Sequence, residues 1–181
     1  EDMTPAQVAY YRQALHLDEP LFVQFGYYLR SLFDGTLGYS YKKEAPVSAL
    51  IGQRLGYTLQ ITLPAVLLST ALGLLWGLHC GYKKGGVLDK LSTTLQIVVN
   101  TMPSFVIALV LMILFCFRQR WFPYTGLNSA GVSPGTAAYL WDRIRHLILP
   151  VLTLTIAAVP SRYLLMRNTV SQVTEEKYVL Y

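Results

Sequence analysis

The chain has 181 residues, of which 53% are hydrophobic and 14% charged, and its mean hydropathy is +0.38. A soluble domain is about one quarter charged, so this balance excludes an ordinary water-soluble fold and points to lipid. The 15 Lys and Arg against 10 Asp and Glu give a formal charge of +5, but the cations lie between apolar runs and form no dense basic stripe, which excludes a nucleic-acid-binding surface.

Residues 1–53 have ordinary soluble character and open on a helix start. Thr4 can cap, Pro5 suits the first turn and Gln7 can reach back to the Thr4 amide. Val8, Tyr11 and Leu15 recur at helical spacing, which predicts a short amphipathic helix to about Leu17, broken by Asp18, Glu19 and Pro20. A second, aromatic helix is expected over 21–32, followed by a turn-rich loop through Asp34, Gly35 and Gly38.

Residues 55–82 carry no Asp, Glu, Lys or Arg over 28 positions, whereas a helix crosses the hydrocarbon in about 20. Pro64, Gly73 and Gly77 lie inside this run and suit a membrane helix packed closely on neighbours. A short loop with Lys83, Lys84, Asp89 and Lys90 leads to a second uncharged run over 91–117, in which Pro103 is expected to produce a kink. Trp121, Phe122 and Tyr124 fit an aromatic belt at a membrane surface. Residues 118–146 then read as a longer connection, irregular around Gly126, Gly131, Pro134 and Gly135. A third apolar run covers 147–166 and contains Arg162, which either snorkels to the nearer surface or faces a pore or a neighbouring subunit.

The expected fold class is therefore all-α, an integral membrane helical bundle with three transmembrane helices (about 55–80, 93–117 and 147–166) and a small helical and loop extracytoplasmic segment over 1–53. Lys83, Lys84 and Lys90, with Arg162, Arg167 and Lys177 on the same side, place that side in the cytoplasm against Arg118, Arg120, Arg143 and Arg145 on the other. Cys80 and Cys116 form no CxxC pair and are expected to be buried inert thiols, while His16, His79 and His146 are scattered, so neither a metal nor a cofactor is expected. No phosphate loop, HExxH or nucleophilic triad is present, and no catalytic residue is assigned. The acidic opening, and a helix starting near Thr174 without a stop signal, read as the ends of an internal fragment. An isolated fragment of this kind is expected to leave apolar helix faces uncovered.

The order of features resembles the first-type permease subunit of bacterial ABC importers for dipeptides, oligopeptides and nickel, over nearly the whole chain. TPAQ with LHLDEPLFVQFGYYL, GTLGYS, APVSALIGQRLGYTLQIT, MPSFVIALVLMILF and WFPYTG are each similar to a family segment. The most specific match is RHLILPVLTL, with Arg145, His146, Leu149 and Pro150, and MRNTVSQVTEEKYVLY resembles the approach to the family's cytoplasmic coupling segment. Departures are Thr36 at an acidic position, with Asp34 offset by two, and Leu164 where the first of two arginines is usual, with Arg162 two residues earlier.

This resemblance implies a multi-pass subunit of the bacterial cytoplasmic (inner) membrane, with a helix before Glu1 and further helices after Tyr181. Its partners would be a second permease subunit, cytoplasmic ATPase subunits, an extracytoplasmic substrate-binding protein and membrane lipid. The region 54–166 would supply half of a translocation path, and 167–181 would begin the ATPase-coupling segment, with Glu175, Glu176, Lys177, Tyr178 and Tyr181 as coupling candidates. Polar residues are costly against acyl chains, which makes Gln60, Thr62, Asn100, Thr101 and Ser104 candidates for lining the path, with interhelical hydrogen bonds as the alternative. Residues 1–53 and 118–146 would receive the binding protein. An ion channel or secondary transporter without an ATPase is the competing reading, and a structural membrane anchor is a third.

Overall fold

Helices form wherever the sequence carries periodic or continuous apolar runs, and the computed structural model, which describes residues 4–14, 16–35, 37–40 and 42–175, contains six of them among those residues. The described residues divide into two compact units, one within 1–57 and one within 58–181.

In the N-terminal unit, α1 (Pro5–Ala14) stops earlier than its periodicity suggests. His16 takes a left-handed φ of 54°, and the Leu17 amide reaches back to the Arg12 carbonyl while that of His16 reaches Gln13, the paired bonds of a helix stop. The His16 ring then stacks on Tyr27 at 3.9 Å between centroids. Helix α2 (Leu21–Phe33) begins after Pro20, and its Leu21, Phe22, Phe25 and Phe33 are all exposed. The loop after it contains a two-residue ladder, β1 (Tyr39–Ser40) antiparallel to β2 (Ala45–Pro46), with Tyr39 opposite Pro46.

Helix α3 (Val47–Tyr82) has 36 residues, about 54 Å at 1.5 Å per residue, and starts eight residues before the uncharged run because Val47 to Arg54 continue it without a proline. Its burial is inverted relative to a soluble helix. Ala65, Ser69, Gly73, Gly77 and Gly81, spaced every fourth residue, are buried, while Leu67, Leu72 and Leu75 are exposed. A stripe of small residues lets two backbones approach and leaves the large apolar groups for lipid.

The partner is α6 (Ala137–Glu175), 39 residues long. A Cβ added at Gly73 would lie 2.6 Å from Arg162 Cβ, at Gly77 2.6 Å from the Tyr163 carbonyl, and at Gly81 2.7 Å from the Arg167 carbonyl. Contacts climb both helices in the same direction, so α3 and α6 run parallel, as the first and third spans of an alternating bundle must. Helix α6 begins ten residues earlier than expected. Thr136 supplies the cap that the sequence reading passed over, its hydroxyl accepting the Tyr139 amide at 3.1 Å.

The middle span is not one straight helix. Helix α4 (Val87–Thr101) and helix α5 (Ser104–Met112), which continues as a π-helical turn over Ile113–Arg118, are bent by 98° at Met102 and Pro103. Pro103 lacks an amide hydrogen, and its ring drives Met102 to an extended φ of −81° and ψ of 125°. The expected single helix over 93–117 is thus corrected to a broken pair, beside two unbroken helices long and apolar enough to cross a membrane. By length and composition the pair is one broken span or a re-entrant loop, its two 15-residue arms each about 22 Å long and meeting at the 98° bend.

Candidate functional site

Two polar clusters mark the two ends of this bundle, and each is organised by one carboxylate. Asp89 and Asp142 are the two acidic residues between Glu44 and Glu175.

At the first end Asp89 lies in the opening turn of α4 and is only 2% exposed. Arg167 of α6 grips it with both arms of its guanidinium, Nε to Oδ1 at 2.6 Å and an Nη to Oδ2 at 2.7 Å. Gly85 donates its amide to Oδ2 at 3.0 Å and Thr93 its hydroxyl to Oδ1 at 3.3 Å, so four donors share the two oxygens. Gly85 has a φ of +83°, which only glycine adopts without strain, and this turns the loop so that its amide faces the carboxylate. Thr93 also pairs with the hydroxyl of the fully buried Tyr163 at 3.1 Å. Tyr163 stands edge-on to Trp76 of α3, whose indole donates to Ser92 at 3.0 Å. Three helices are thereby tied at one level.

Arg162 does not reach for the nearer surface. Its Nε donates to Thr70 of α3 at 3.0 Å and an Nη to the Ala158 carbonyl at 3.0 Å, one turn back along α6, so the snorkelling alternative gives way to a guanidinium held between two helices. Cys80 and Cys116 are both buried, whereas His79 is exposed.

At the opposite end Asp142 accepts the Ser129 amide at 2.6 Å and hydroxyl at 2.8 Å. Arg143 donates twice to the Gln60 carbonyl oxygen, at 3.0 and 2.7 Å, and once to Asn128 at 3.0 Å, while Arg145 caps the Trp121 carbonyl at 2.7 Å. These bonds pin the connection after α5 to α3 and α6. Below them a cavity of about 480 Å³ is lined by Ile61, Met112, Cys116, Tyr124, His146 and Leu149, among others. The string Arg145, His146, Leu149 and Pro150 therefore has a physical task, one residue holding the connection and three lining the space beneath it. Asp142→Ala is expected to free the connection. Loss of the carboxylate that accepts both the Ser129 amide and hydroxyl is expected to speed exchange of the Ser129 amide in hydrogen-exchange measurements.

The five expected path residues are not gathered into one site. Gln60 belongs to the Arg143 cluster, Thr62 and Thr101 return their hydroxyls to the Thr58 and Val98 carbonyls of their own helices, and none of the five lines the cavity. Asn100, Thr101 and Ser104 do share the bend between α4 and α5, and all three are exposed. Of the coupling candidates, Glu175 closes α6, and its side chain together with Glu176, Lys177, Tyr178 and Tyr181 lies outside the described residues. Sequence reasoning missed Asp89, Thr93 and Tyr163. The available signal was Asp89 itself, a lone acid among three lysines beside an apolar run.

Residues 69–181 match the family of binding-protein-dependent transport system inner membrane components. The chain belongs to that family. The match takes in both polar clusters apart from Gln60, the glycine stripe from Ser69 onward and the whole bent pair. Among similar proteins are a probable peptide ABC transporter permease of Sinorhizobium fredii, 31% identical over 97% of this chain and 54% of its own length, and an oligopeptide transport system permease of Mycobacterium bovis, 32% identical over 91% and 52%. A dipeptide transport system permease of Lactococcus lactis is 29% identical over 98% and 54%. The chain spans about half the length of these curated relatives. Membership of an inner membrane component family, with helices of this length, makes it a membrane protein.

Proposed function

We propose that the chain is part of a permease subunit of an ABC importer in the bacterial cytoplasmic membrane, carrying peptides by means of ATP hydrolysed on separate subunits. Family membership over 69–181 carries this reading, and the three named relatives, permeases for peptides, oligopeptides and dipeptides, supply the substrate class. A second permease subunit, cytoplasmic ATPase subunits and an extracytoplasmic substrate-binding protein are the partners that such a subunit needs. The Asp89 and Arg167 end faces the cytoplasm, since Lys83, Lys84 and Lys90 adjoin it, and the Arg143 and Arg145 end faces outward. Residues 1–53 and the 118–146 connection then receive the binding protein, and the region after Arg167 leads to the ATPase. The deciding experiment reconstitutes the full-length protein with its partners in proteoliposomes. Peptide uptake that requires both ATP and the binding protein supports the reading, and uptake indifferent to ATP sinks it.

The path runs past the bend. Broken backbone at membrane depth is tolerated where it is covered by protein or lines a water-filled cavity, and at Met102 and Pro103 the exposed neighbours are Asn100, Thr101 and Ser104. Cysteine placed at Asn100 or Ser104 is expected to react with a membrane-impermeant thiol reagent in the assembled importer, whereas cysteine at the exposed Leu67 is not. The native Cys80 and Cys116 are buried and give a low background. Equal protection of positions 67, 100 and 104 would remove the bend from the path.

A further inference from the structure

Arg167 sits eight residues before Glu175, two helical turns or about 12 Å along α6, and it is the last side chain of that helix for which a bond to another helix is described. Everything that α6 carries toward the ATPase extends from this point. On the other side of the same ion pair lies the turn from Lys83 to Gly86, held to Asp89 through the Gly85 amide. Stability alone does not account for the arrangement, because an apolar pair of similar volume at a buried site is commonly as stable as an ion pair or more so. What an apolar pair lacks is direction. A fork gripping a carboxylate at 2.6 and 2.7 Å fixes the angle about the helix axis, and two further donors fix the carboxylate in turn.

We propose that the Asp89–Arg167 pair is the positioning link of the importer: it locks the coupling extension of α6 to the inner turn between α3 and α4, so that movement imposed at Glu175 is passed to the bent α4–α5 pair. The link rests on the importer reading above. Closure of the ATPase subunits displaces the extension, Arg167 moves with it, and Asp89 carries the first turn of α4 along. Thr93 and Tyr163 keep the contact from rotating, since their hydroxyl pair sits 3.1 Å apart one turn deeper in the bundle. With the link cut, α6 still leads to the ATPase, but its displacement is no longer delivered to α4. Nucleotide is then hydrolysed without transport.

The test uses the full-length protein with its partner subunits and binding protein in proteoliposomes, with radiolabelled trialanine as the transported probe, and reads uptake per ATP hydrolysed. Asp89→Asn is expected to assemble and to hydrolyse ATP, but to lower uptake per ATP by roughly tenfold, within the range of coupling between distant sites. Arg167→Lys, which keeps the charge and loses the fork, is expected to fall between Asp89→Asn and the native protein. Thr93→Val removes one donor from the carboxylate without a buried charge change, and a several-fold loss of uptake per ATP is expected from it; this variant decides the matter if Asp89→Asn fails to accumulate. Native uptake per ATP in either Asp89→Asn or Thr93→Val would overturn the link while leaving the importer reading intact. A native assembly that imports nothing under ATP would overturn both.

Discussion

Arg167→Ala is expected to be among the most destabilising single substitutions in this chain. It leaves Asp89, 2% exposed, as a buried charge without its counter-ion, and breaking a buried pair from one side costs about 3–5 kcal/mol. The matching double variant, Asp89→Leu with Arg167→Met, is expected to recover most of that loss even though it removes both charges. The Gly85 amide and the Thr93 hydroxyl then lose the carboxylate, although Thr93 keeps the Tyr163 hydroxyl as a partner, so recovery is incomplete. Thermal unfolding of the detergent-solubilised full-length protein measures both. If the double variant were no more stable than the single, the stability of the site would lie in the particular pair and not in charge balance.

Gly77→Leu is the second large effect. Even a methyl group there would sit 2.6 Å from the Tyr163 carbonyl and 2.9 Å from Met166 Cβ, and neither atom is the end of a flexible side chain. Overpacking of this sort costs about 1–3 kcal/mol for a few methylenes, more than the ~1 kcal/mol that replacing a helical glycine contributes, and leucine adds three carbons beyond the methyl. Gly56→Ala is the control, because nothing lies within 4 Å of its added Cβ. It is expected to be neutral or mildly stabilising, and the contrast between the two positions, read as unfolding temperatures, tests whether α3 and α6 approach at backbone distance.

Much of this fold was legible in the apolar runs. The all-α class and the membrane-length helices follow from the lack of charge over 55–82, 91–117 and 147–161, since only helices and closed barrels satisfy their backbone in lipid. The kink at Pro103 was readable from one residue, but its size of 98° was not, because a missing hydrogen bond allows a bend without fixing its angle. The ten extra residues at the start of α6 escaped notice because Asp142, Arg143 and Arg145 look like loop residues until their partners on α3 and the connection are known. The inner cluster was hidden for the same reason. Asp89 and Arg167 are 78 positions apart, and nothing local to either announces the other. Polarity within an apolar run proved a poor guide to clustering: Gln60 went to Arg143, and Thr62 and Thr101 went to their own helices.

The small-residue contact between α3 and α6 has a mechanical consequence. Two helices touching backbone to backbone over Gly73, Gly77 and Gly81 have no side-chain cushion in which to slide or tilt, so they behave as a single stiff beam. Compliance has to reside elsewhere, and Met102 and Pro103 form a joint where two helical hydrogen-bond ladders stop. On the importer reading, spin labels at Leu95 and Leu109, on either side of that joint, are expected to change separation between nucleotide states of the assembled protein, whereas labels at Leu67 on the one rod and Leu165 on the other keep theirs. The bend is a joint set against a stiff spar, and a single prolyl ring sets where that joint lies.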